Sequence, residues 1–295
     1  MKGERGFRVI AHMVMMIAAL LALIPFVLLV IASFTDNSWA VSNGFSFFPE
    51  KWSADAYLYI ANQWQTIGRA YGMTIIVTVI GTFCSIMMTS LFAYGLSNHG
   101  IPGNKVVSFL VIFTMLFNGG LVATYYTYSG MLHIRNTIWA LIVPGLMMNS
   151  FSVILVKNYF VTSIPDGLLE AARIDGANEF QIFFKIAFPL SKPIVATVGL
   201  MTGIGYWNDW QNGLYYLSQR DGSQFYTIQV VLNTINENIN FLASNPNGSV
   251  TSVTAMPSTT ARMAIAVVGI FPILIVYPFF QKYFVKGITL GGVKG

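Results

Sequence analysis

Residues 170–193 read "EAARIDGANEFQIFFKIAFPLSKP" and differ sharply from the apolar sequence on both sides. Five charged side chains lie within the first sixteen of these residues: Glu170, Arg173, Asp175, Glu179 and Lys185. In the whole chain only 9% of residues are charged, whereas a soluble domain carries about 25%. A short charged segment between long hydrophobic runs indicates a part of the chain that lies outside the apolar core and contacts another molecule.

The composition around this segment is that of a membrane protein. Hydrophobic residues make up 55% of the 295 residues, and the mean hydropathy is +0.63. A soluble fold could not cover its surface with so little charge, so we predict an integral membrane protein in a lipid bilayer. The net charge of +5 is not arranged in basic patches with interleaved aromatic residues, so we expect no nucleic-acid partner. One cysteine and three isolated histidines predict neither a disulfide within the chain nor a metal site.

Windows free of Lys, Arg, Asp and Glu predict six transmembrane helices in an all-α fold. They are Val9–Thr35, Ala70–Asn104, Val106–Ile134, Asn136–Val156, Pro193–Asn208 and Met263–Gln281. A helix needs about 17–20 residues to cross the hydrocarbon, and only the fifth window is shorter, so it must extend to Trp210. The first window is longer than the apolar core of a signal peptide, which favours an uncleaved helix.

Six spans place both termini on one side, and the basic residues indicate which side that is. With both termini inside, eleven of the 16 Lys and Arg residues lie in cytoplasmic segments and five lie outside. This bias follows the positive-inside rule. The charged segment is therefore predicted to be cytoplasmic, within a loop over residues 163–192. Two outer loops are predicted over residues 36–68 and 211–261 of a single domain that covers residues 1–295.

Local signals in the charged segment predict two short helices. Ser163 and Pro165 mark the start of the first, Gly176 its end, and Asn178 the start of a second over Glu179–Ala187. Two prolines, Pro189 and Pro193, are expected to break the chain before the fifth span. Lipid headgroups could hold such helices, but the small residues favour close contact with a protein surface. Those small residues are Ala171, Ala172, Gly176 and Ala177.

The segment also resembles a known sequence pattern. "EAARIDGA" at 170–177, followed by "IAFPLSKP" at 186–193, resembles the EAA loop of permease subunits from ATP-binding-cassette (ABC) importers. The resemblance continues through "AYGLSNHGIPG" at 93–103, "FNGGLVATYY" at 117–126, "NTIWALIVPG" at 136–145, "GYWNDWQNGLYY" at 205–216 and the closing residues 277–295. It is strongest to the second permease of the maltose-importer type, in the branch for complex oligosaccharides and polysaccharides such as alginate. Ala123 departs from that branch, which is expected to carry Pro there.

This resemblance implies a type I ABC importer permease in the bacterial cytoplasmic (inner) membrane, multi-pass, working by alternating access. Its implied partners are a second homologous permease, two ATPase subunits and an extracytoplasmic solute-binding protein. Loop 163–192 would dock on an ATPase through Glu170, Ala171, Ala172, Asp175, Gly176, Ala177 and Pro189. No Gly-x4-Gly-Lys-Ser/Thr pattern occurs in the sequence, so ATP and Mg²⁺ are expected on the partner ATPase and no cofactor on this chain. The chain is then a transport subunit and not an enzyme.

A second candidate site lies at the end of the fifth window. Tyr206, Trp207, Asp209 and Trp210 could line a sugar path, because flat aromatic rings cover the apolar faces of pyranose rings. Alternatively, Asp209 lies at the outer interface and the two tryptophans anchor the chain in the aromatic belt, which we favour because the window is short. The same ambiguity applies to Tyr125, Tyr126, Tyr128, Tyr215 and Tyr216.

Two other functions compete with the importer. An ion-coupled secondary carrier of sugars or other solutes needs carboxylates or paired charges within its spans, and the six windows have none. An intramembrane enzyme needs converging His, Asp or Ser side chains at membrane depth, and no such set is evident. The sequence therefore favours the importer permease.

Overall fold

The computed structural model describes residues 2–98, 100–244 and 258–292. Much of the second outer loop (245–257), His99 and the last three residues lie outside these ranges. Within them every regular element is a helix, and the only β feature is an isolated bridge between Thr35 and Trp52. The all-α prediction is confirmed for the described residues.

The helices follow one another with short connections. In chain order they are α1 Lys2–Ser33, α2 Asn37–Asn43, α3 Asp55–Asn62, α4 Trp64–Ser97, α5 Asn104–Leu116, α6 Gly120–Tyr125, α7 Trp139–Ile142, α8 Ser150–Ser163, α9 Asp166–Ile174, α10 Glu179–Ile182, α11 Phe188–Leu190, α12 Lys192–Asn208, α13 Gln211–Tyr216, α14 Ile228–Ser244 and α15 Ser258–Gly292. Wide π-helical turns follow α6 (Tyr126–Met131) and join α10 to α11 (Phe183–Ala187).

Three helical stretches in the described ranges are long and apolar enough to span a membrane: Gly6–Ser33, Trp64–Ser97 and Thr259–Pro278. Two bent pairs pass the same test together. One joins α5 to Gly120–Met131 at 120°, and the other joins Glu179–Leu190 to α12 at 81°. The described residues therefore contain three to five candidate spans, and the count of six remains a prediction.

The third window is not the single helix that its apolar length predicts. The chain breaks between Leu116 and Gly120, where Gly120 has a φ of +79°. The Asn118 side-chain oxygen accepts a hydrogen bond from the Gly120 N–H at 2.8 Å, which stabilises the turn. Glycine adopts positive φ at little cost, so this local chemistry overrides the apolar pattern. Ala123 lies in the helix after this break.

The fourth window is also interrupted. Helix α7 ends at Ile142, and Pro144 and Gly145, which has a φ of +73°, separate it from α8. Proline lacks an N–H to continue the helix. Helix α8 begins after Asn149, whose side chain accepts from the Ser152 N–H, and it continues to Ser163. Ser163 thus ends α8 and does not start the next helix, contrary to the sequence-based expectation.

Contacts divide the chain into two units. The first lies within Met1–Gly68 and Leu232–Pro272. In it the Tyr57 ring stacks on Phe34 at 4.6 Å between ring centroids, and its hydroxyl is 2.8 Å from the Ser33 hydroxyl. The Asn37 side-chain oxygen accepts from the Thr259 N–H at 3.1 Å. These contacts join the end of α1 to α3, and the start of α2 to the start of α15.

The second unit lies within Arg69–Val231 and Ile273–Gly295 and contains both candidate sites. One buried cluster is formed by α4, α5, α8, α12 and the π turn, and includes Val156, Phe160 and Phe183. Another surrounds Tyr206, with Val77 and Leu141. Gly81 of α4 lies directly against the Tyr206 ring, so a Cβ added there would come within 2.5 Å of it. Small residues that permit such close approach are typical of packed membrane helices.

Candidate functional site

Helix α9, the first of the two predicted short helices, forms and ends where the sequence predicts. It starts after Pro165, with Asp166 in its first turn. It ends in a Schellman motif, in which the Gly176 N–H bonds the Arg173 carbonyl and the Ala177 N–H bonds the Ala172 carbonyl, both at 3.0 Å. Gly176 has a φ of +84°, which disfavours any residue with a Cβ. The turn therefore fixes where α9 stops.

The second short helix starts as predicted but is longer. The Asn178 side chain accepts from the Gln181 N–H at 2.9 Å, and the Gln181 side chain accepts from the Asn178 N–H at 3.0 Å, which makes a capping box. Helical backbone then continues through the π turn to Leu190. The predicted break before the fifth span is confirmed, since a bend of 81° comes at Ser191, between Pro189 and Pro193, although Pro189 itself lies within helical backbone.

The π turn explains why Pro189 is tolerated. The Phe188 N–H bonds the carbonyl of Phe183, five residues back. The α-helical pattern restarts at Phe188, which places Pro189 in the first turn of α11. A proline costs little there, since the first N–H groups of a helix have no intrahelical acceptor. The second helix and its extension thus form one arm that runs to the start of α12.

An ion pair joins the two short helices. The Arg173 Nε atom lies 2.8 Å from Glu179 Oε1, and the Tyr94 hydroxyl of α4 donates to Glu179 Oε2 at 2.7 Å. The Glu179 carboxylate raises the pKa of Arg173 above its ordinary value by hydrogen bonding. The carboxylate therefore links α9, α10 and α4.

This link is not predictable from the sequence. Arg173 and Glu179 are six residues apart across a turn, which is not a spacing that predicts contact within a helix. Tyr94 is 85 residues from Glu179 in the sequence. The charge pattern alone gives no signal for such a pairing, although the opposite charges on either side of Gly176 are visible in it.

The predicted docking residues are accessible. Glu170, Ala171, Asp175 and Gly176 are exposed, while Ala172, Ala177 and Pro189 are half-buried. Among the described residues, Glu170 has no hydrogen-bond or ion-pair partner. Leu169 packs on the buried cluster, whereas Ile174 and Phe180 are 86% and 71% exposed. Helix α9 is therefore anchored to the fold through Leu169, whereas Ile174 at its end, Phe180 on α10 and the Glu170 side chain are exposed.

A cavity of about 200 Å³ separates α9 from the end of α4. Asp166, Glu170 and Arg173 line it from α9, Ser97 lines it from the end of α4, and Asn98 lines it just beyond that end. The lining thus carries two carboxylates and one guanidinium, and the guanidinium is already paired with Glu179.

The second candidate site divides into buried and exposed residues. Tyr206 is 1% exposed, and its hydroxyl donates to the Ile142 carbonyl at 2.7 Å. Trp207 is 9% exposed and lies 6.3 Å from the Tyr71 ring. Neither ring can stack on a solute in this conformation, and Trp207 is not an exposed belt anchor. Trp210, at 38%, is the accessible ring of the three.

Asp209 has a structural contact of its own. Its Oδ1 atom accepts from the Asn212 N–H at 3.1 Å at the start of α13. The Asn212 side chain donates to the Pro144 carbonyl at 3.0 Å. Asp209 thus caps α13 and orders the turn that follows α12.

A cavity of about 320 Å³ opens beside this turn. Its lining residues are Pro144, Gly145, Leu146, Gly205 and the run 208–212. The run supplies two asparagines, a glutamine, an aspartate and Trp210. Hydrogen-bonding groups around one exposed aromatic ring match the surface of a sugar, which has hydroxyls at its edge and apolar faces.

Comparison with known proteins agrees with the sequence resemblance. Residues 58–290 match the family described as "Binding-protein-dependent transport system inner membrane component". The chain is 39% identical, over 99% of both chains, to the polygalacturonan/rhamnogalacturonan transport system permease protein YtcP of Bacillus subtilis (strain 168). It is 28% identical, over 94% of this chain and 93% of the relative, to the arabinooligosaccharides transport system permease protein AraQ of Halalkalibacterium halodurans.

A solved structure is also similar. It is the crystal structure of a bacterial ABC transporter involved in the import of the acidic polysaccharide alginate, matched at 30% identity with a TM-score of 0.77. The match covers 96% of this chain and 98% of that one. The family match spans more than half of the chain and includes both candidate sites. The chain therefore belongs to the binding-protein-dependent transport system inner membrane component family, the permeases of ABC importers.

Proposed function

We propose that this chain is a permease subunit that moves an oligosaccharide or polysaccharide across the bacterial cytoplasmic membrane, energised by a separate ATPase. The observation that carries the proposal is loop 163–192. Its two capped helices form a projection that is anchored to the fold through Leu169 and Glu179, and Glu170 and Ile174 are exposed on it. Such a projection transmits motion as a body, whereas a flexible loop does not.

The proposed assembly contains a second homologous permease, two ATPase subunits that bind ATP and Mg²⁺, and an extracytoplasmic solute-binding protein. We propose type I importer architecture for residues 1–295 as one permease domain, with six spans and both termini in the cytoplasm. The eleven-to-five distribution of basic residues supports this orientation. The interrupted windows three and four would each cross the bilayer as broken helices, packed against protein rather than lipid.

The proposed mechanism is alternating access. Closure of the ATPase pair would move α9, and with it the arm 179–190 and the spans packed on that arm. Changing the ratio of outward-facing to inward-facing states from about 1:99 to about 99:1 takes about 5.5 kcal/mol of differential stabilisation. Only an element that is rigidly joined to the spans can deliver that energy to them.

We propose that the saccharide passes the cavity beside residues 208–212, with Trp210 as the stacking surface. Tyr206 and Trp207 are not part of this proposed path, because both rings are buried and cannot contact the saccharide. One similar permease is named for polygalacturonan and rhamnogalacturonan transport, and the similar solved structure is of an importer of the acidic polysaccharide alginate. Among the residues that the structure describes, no Lys or Arg lines this cavity, so recognition here would rest on hydroxyl groups and ring faces rather than on the carboxylates of an acidic chain.

The test is reconstitution of the purified assembly in proteoliposomes with oligogalacturonides, alginate oligomers or arabino-oligosaccharides outside. The proposal predicts that an ATPase and a second permease co-purify with this chain, and that uptake requires ATP inside. The competing function is an ion-coupled secondary carrier. Uptake by this chain alone, driven by an ion gradient without ATP, would establish that carrier and overturn the importer.

A further inference from the structure

Three helices of the second unit meet at one carboxylate. Glu179 is the first residue of α10, and its Oε1 atom is paired with Arg173 of α9. Its Oε2 atom accepts a hydrogen bond of 2.7 Å from Tyr94, one turn before the end of α4. Because one side chain holds both partners, α9 cannot rotate against α10 or α4 without breaking one of these contacts.

The Tyr94 ring and its hydroxyl have separate roles. The ring packs edge-on against Phe160 of α8, at 5.9 Å between centroids, and at a tilt against Phe183 of the π turn, at 5.4 Å. Those contacts belong to the buried cluster and stabilise the fold. The hydroxyl instead donates to the Glu179 carboxylate of loop 163–192. A Phe at position 94 keeps the ring contacts and removes only the link to the loop.

The link is poorly suited to a purely stabilising role. The side chains of Arg173 and Glu179 are 38% and 52% exposed, and exposed ion pairs contribute little to folding stability. Their geometry is nevertheless directional, because a charged acceptor shortens and aligns hydrogen bonds. Another side-chain bond to this loop, from the Tyr159 hydroxyl of α8 to the Leu190 carbonyl, is longer at 3.5 Å.

We propose that Tyr94, Glu179 and Arg173 form a clamp that passes the motion of α9 to α4, so that Tyr94 and Glu179 are positioning residues for energy coupling. The clamp rests on the proposed function, because it supposes that α9 docks on an ATPase. Motion received by α9 would reach α10 through Arg173 and α4 through Tyr94. The capped turn at Gly176 keeps the backbone between α9 and α10 from absorbing that motion.

The test compares Tyr94→Phe with Tyr159→Phe in the complete assembly in proteoliposomes. Both substitutions remove one hydroxyl that faces the loop, and only the first breaks the clamp. We expect Tyr94→Phe to keep ATPase co-purification and the melting temperature while saccharide imported per ATP hydrolysed falls about tenfold, the loss of one hydrogen bond to a charged group. Tyr159→Phe should couple as the wild type does. Normal coupling in Tyr94→Phe would overturn the clamp.

Charge exchange provides a second test. Arg173→Glu and Glu179→Arg should each reduce the transport-to-hydrolysis ratio, and the double variant should recover most of it. In the double variant, the guanidinium introduced by Glu179→Arg can pair with the carboxylate introduced by Arg173→Glu, and it can also donate to the Tyr94 oxygen. A double variant no better than either single variant would contradict the clamp. A wild-type assembly that imports no saccharide would overturn the proposed function and the clamp together, whereas a coupled wild type with unaffected variants would overturn the clamp alone.

Discussion

Glu170 is a carboxylate with no hydrogen-bond or ion-pair partner among the residues that the structure describes. It lies on α9, four residues before the exposed Ile174, and lines the cavity at the end of α4. A buried charge that loses its partner costs about 3–5 kcal/mol, whereas an exposed pair contributes under about 1 kcal/mol. The size of the defect on removing Glu170 therefore reports how deeply a partner covers it.

We expect Glu170→Ala to leave the chain folded and inserted but to release the ATPase or to uncouple hydrolysis from uptake. The measurements are ATPase co-purification and saccharide uptake in the same membranes. Glu50→Ala is the matched control, because Glu50 is an exposed carboxylate in the predicted outer loop 36–68. Full co-purification and uptake in Glu170→Ala would contradict the docking role.

A substitution at Gly176 tests the effect of backbone conformation alone, because an added Cβ would not be crowded there. A Cβ at this position would meet no atom within 4 Å, but the φ of +84° strains any L-residue. The left-handed backbone conformation costs a residue other than glycine roughly 1–2 kcal/mol, and it costs a β-branched residue more. We expect Gly176→Val to misalign α10 against α9 and to reduce ATPase co-purification.

Gly167→Ala is the control for that substitution. Gly167 lies in the same helix, and a Cβ there also meets no atom within 4 Å, but its φ is not positive. Alanine favours helix relative to glycine by about 1 kcal/mol, so this variant should retain or improve docking. Equal losses in both variants would mean that α9 tolerates no side-chain addition and that the turn is not the cause.

The two tryptophans near the end of α12 are predicted to fail in different ways. Trp207→Ala should lower the melting temperature in detergent, because truncation of a buried Trp costs about 3–5 kcal/mol. Trp210→Ala should leave the melting temperature near that of the wild type and reduce saccharide uptake. The reverse pattern, with wild-type uptake and a lower melting temperature for Trp210→Ala, would identify Trp210 as an interface anchor.

At the scale of elements, close contact between α4 and α12 depends on Gly81. Its position leaves no room for a Cβ against the buried Tyr206 ring, which is held by the bond to Ile142. We expect Gly81→Ala to lower stability by about 1–3 kcal/mol through overpacking, measured as melting temperature in detergent. Gly72→Ala, in the same helix with no atom within 4 Å of the added Cβ, should cost far less. Equal effects would show that the ring moves aside.

The elements that local chemistry specifies are the ones the sequence predicts well. Gly176 and Asn178 determine a turn through groups within five residues of each other, so both helix ends were found. The breaks in windows three and four were not predicted, although Gly120 and Gly145 mark them locally, because the apolar length of each window favoured one continuous helix. Burial of Tyr206 was missed for a different reason, since it depends on packing and on the bond to Ile142, 64 residues away in the sequence. Burial of Trp207 likewise depends on residues far along the chain, such as Tyr71.

At the scale of the whole molecule, the outer loop 211–261 is proposed to contact the solute-binding protein. Its polar, almost uncharged stretch lies partly outside the described residues. We expect deletion of Asn240–Ser249 to leave the assembly intact and to weaken stimulation of ATP hydrolysis by the binding protein. Hydrolysis measured with and without that protein is the readout, and unchanged stimulation would count against the contact.

The interruption of the fourth window has a consequence for how the chain is made. The Ile142 and Pro144 carbonyls accept from Tyr206 and Asn212, which are 64 and 68 residues further along the chain. Unpaired backbone groups in hydrocarbon are costly, and a ribosome adds about 5–20 residues per second. For roughly 3–13 s of synthesis, residues 136–156 therefore emerge before their protein acceptors and donors exist. During that interval the nascent segment must stay hydrated or be sheltered by the insertion machinery, and it enters its final position only after α12 has been translated.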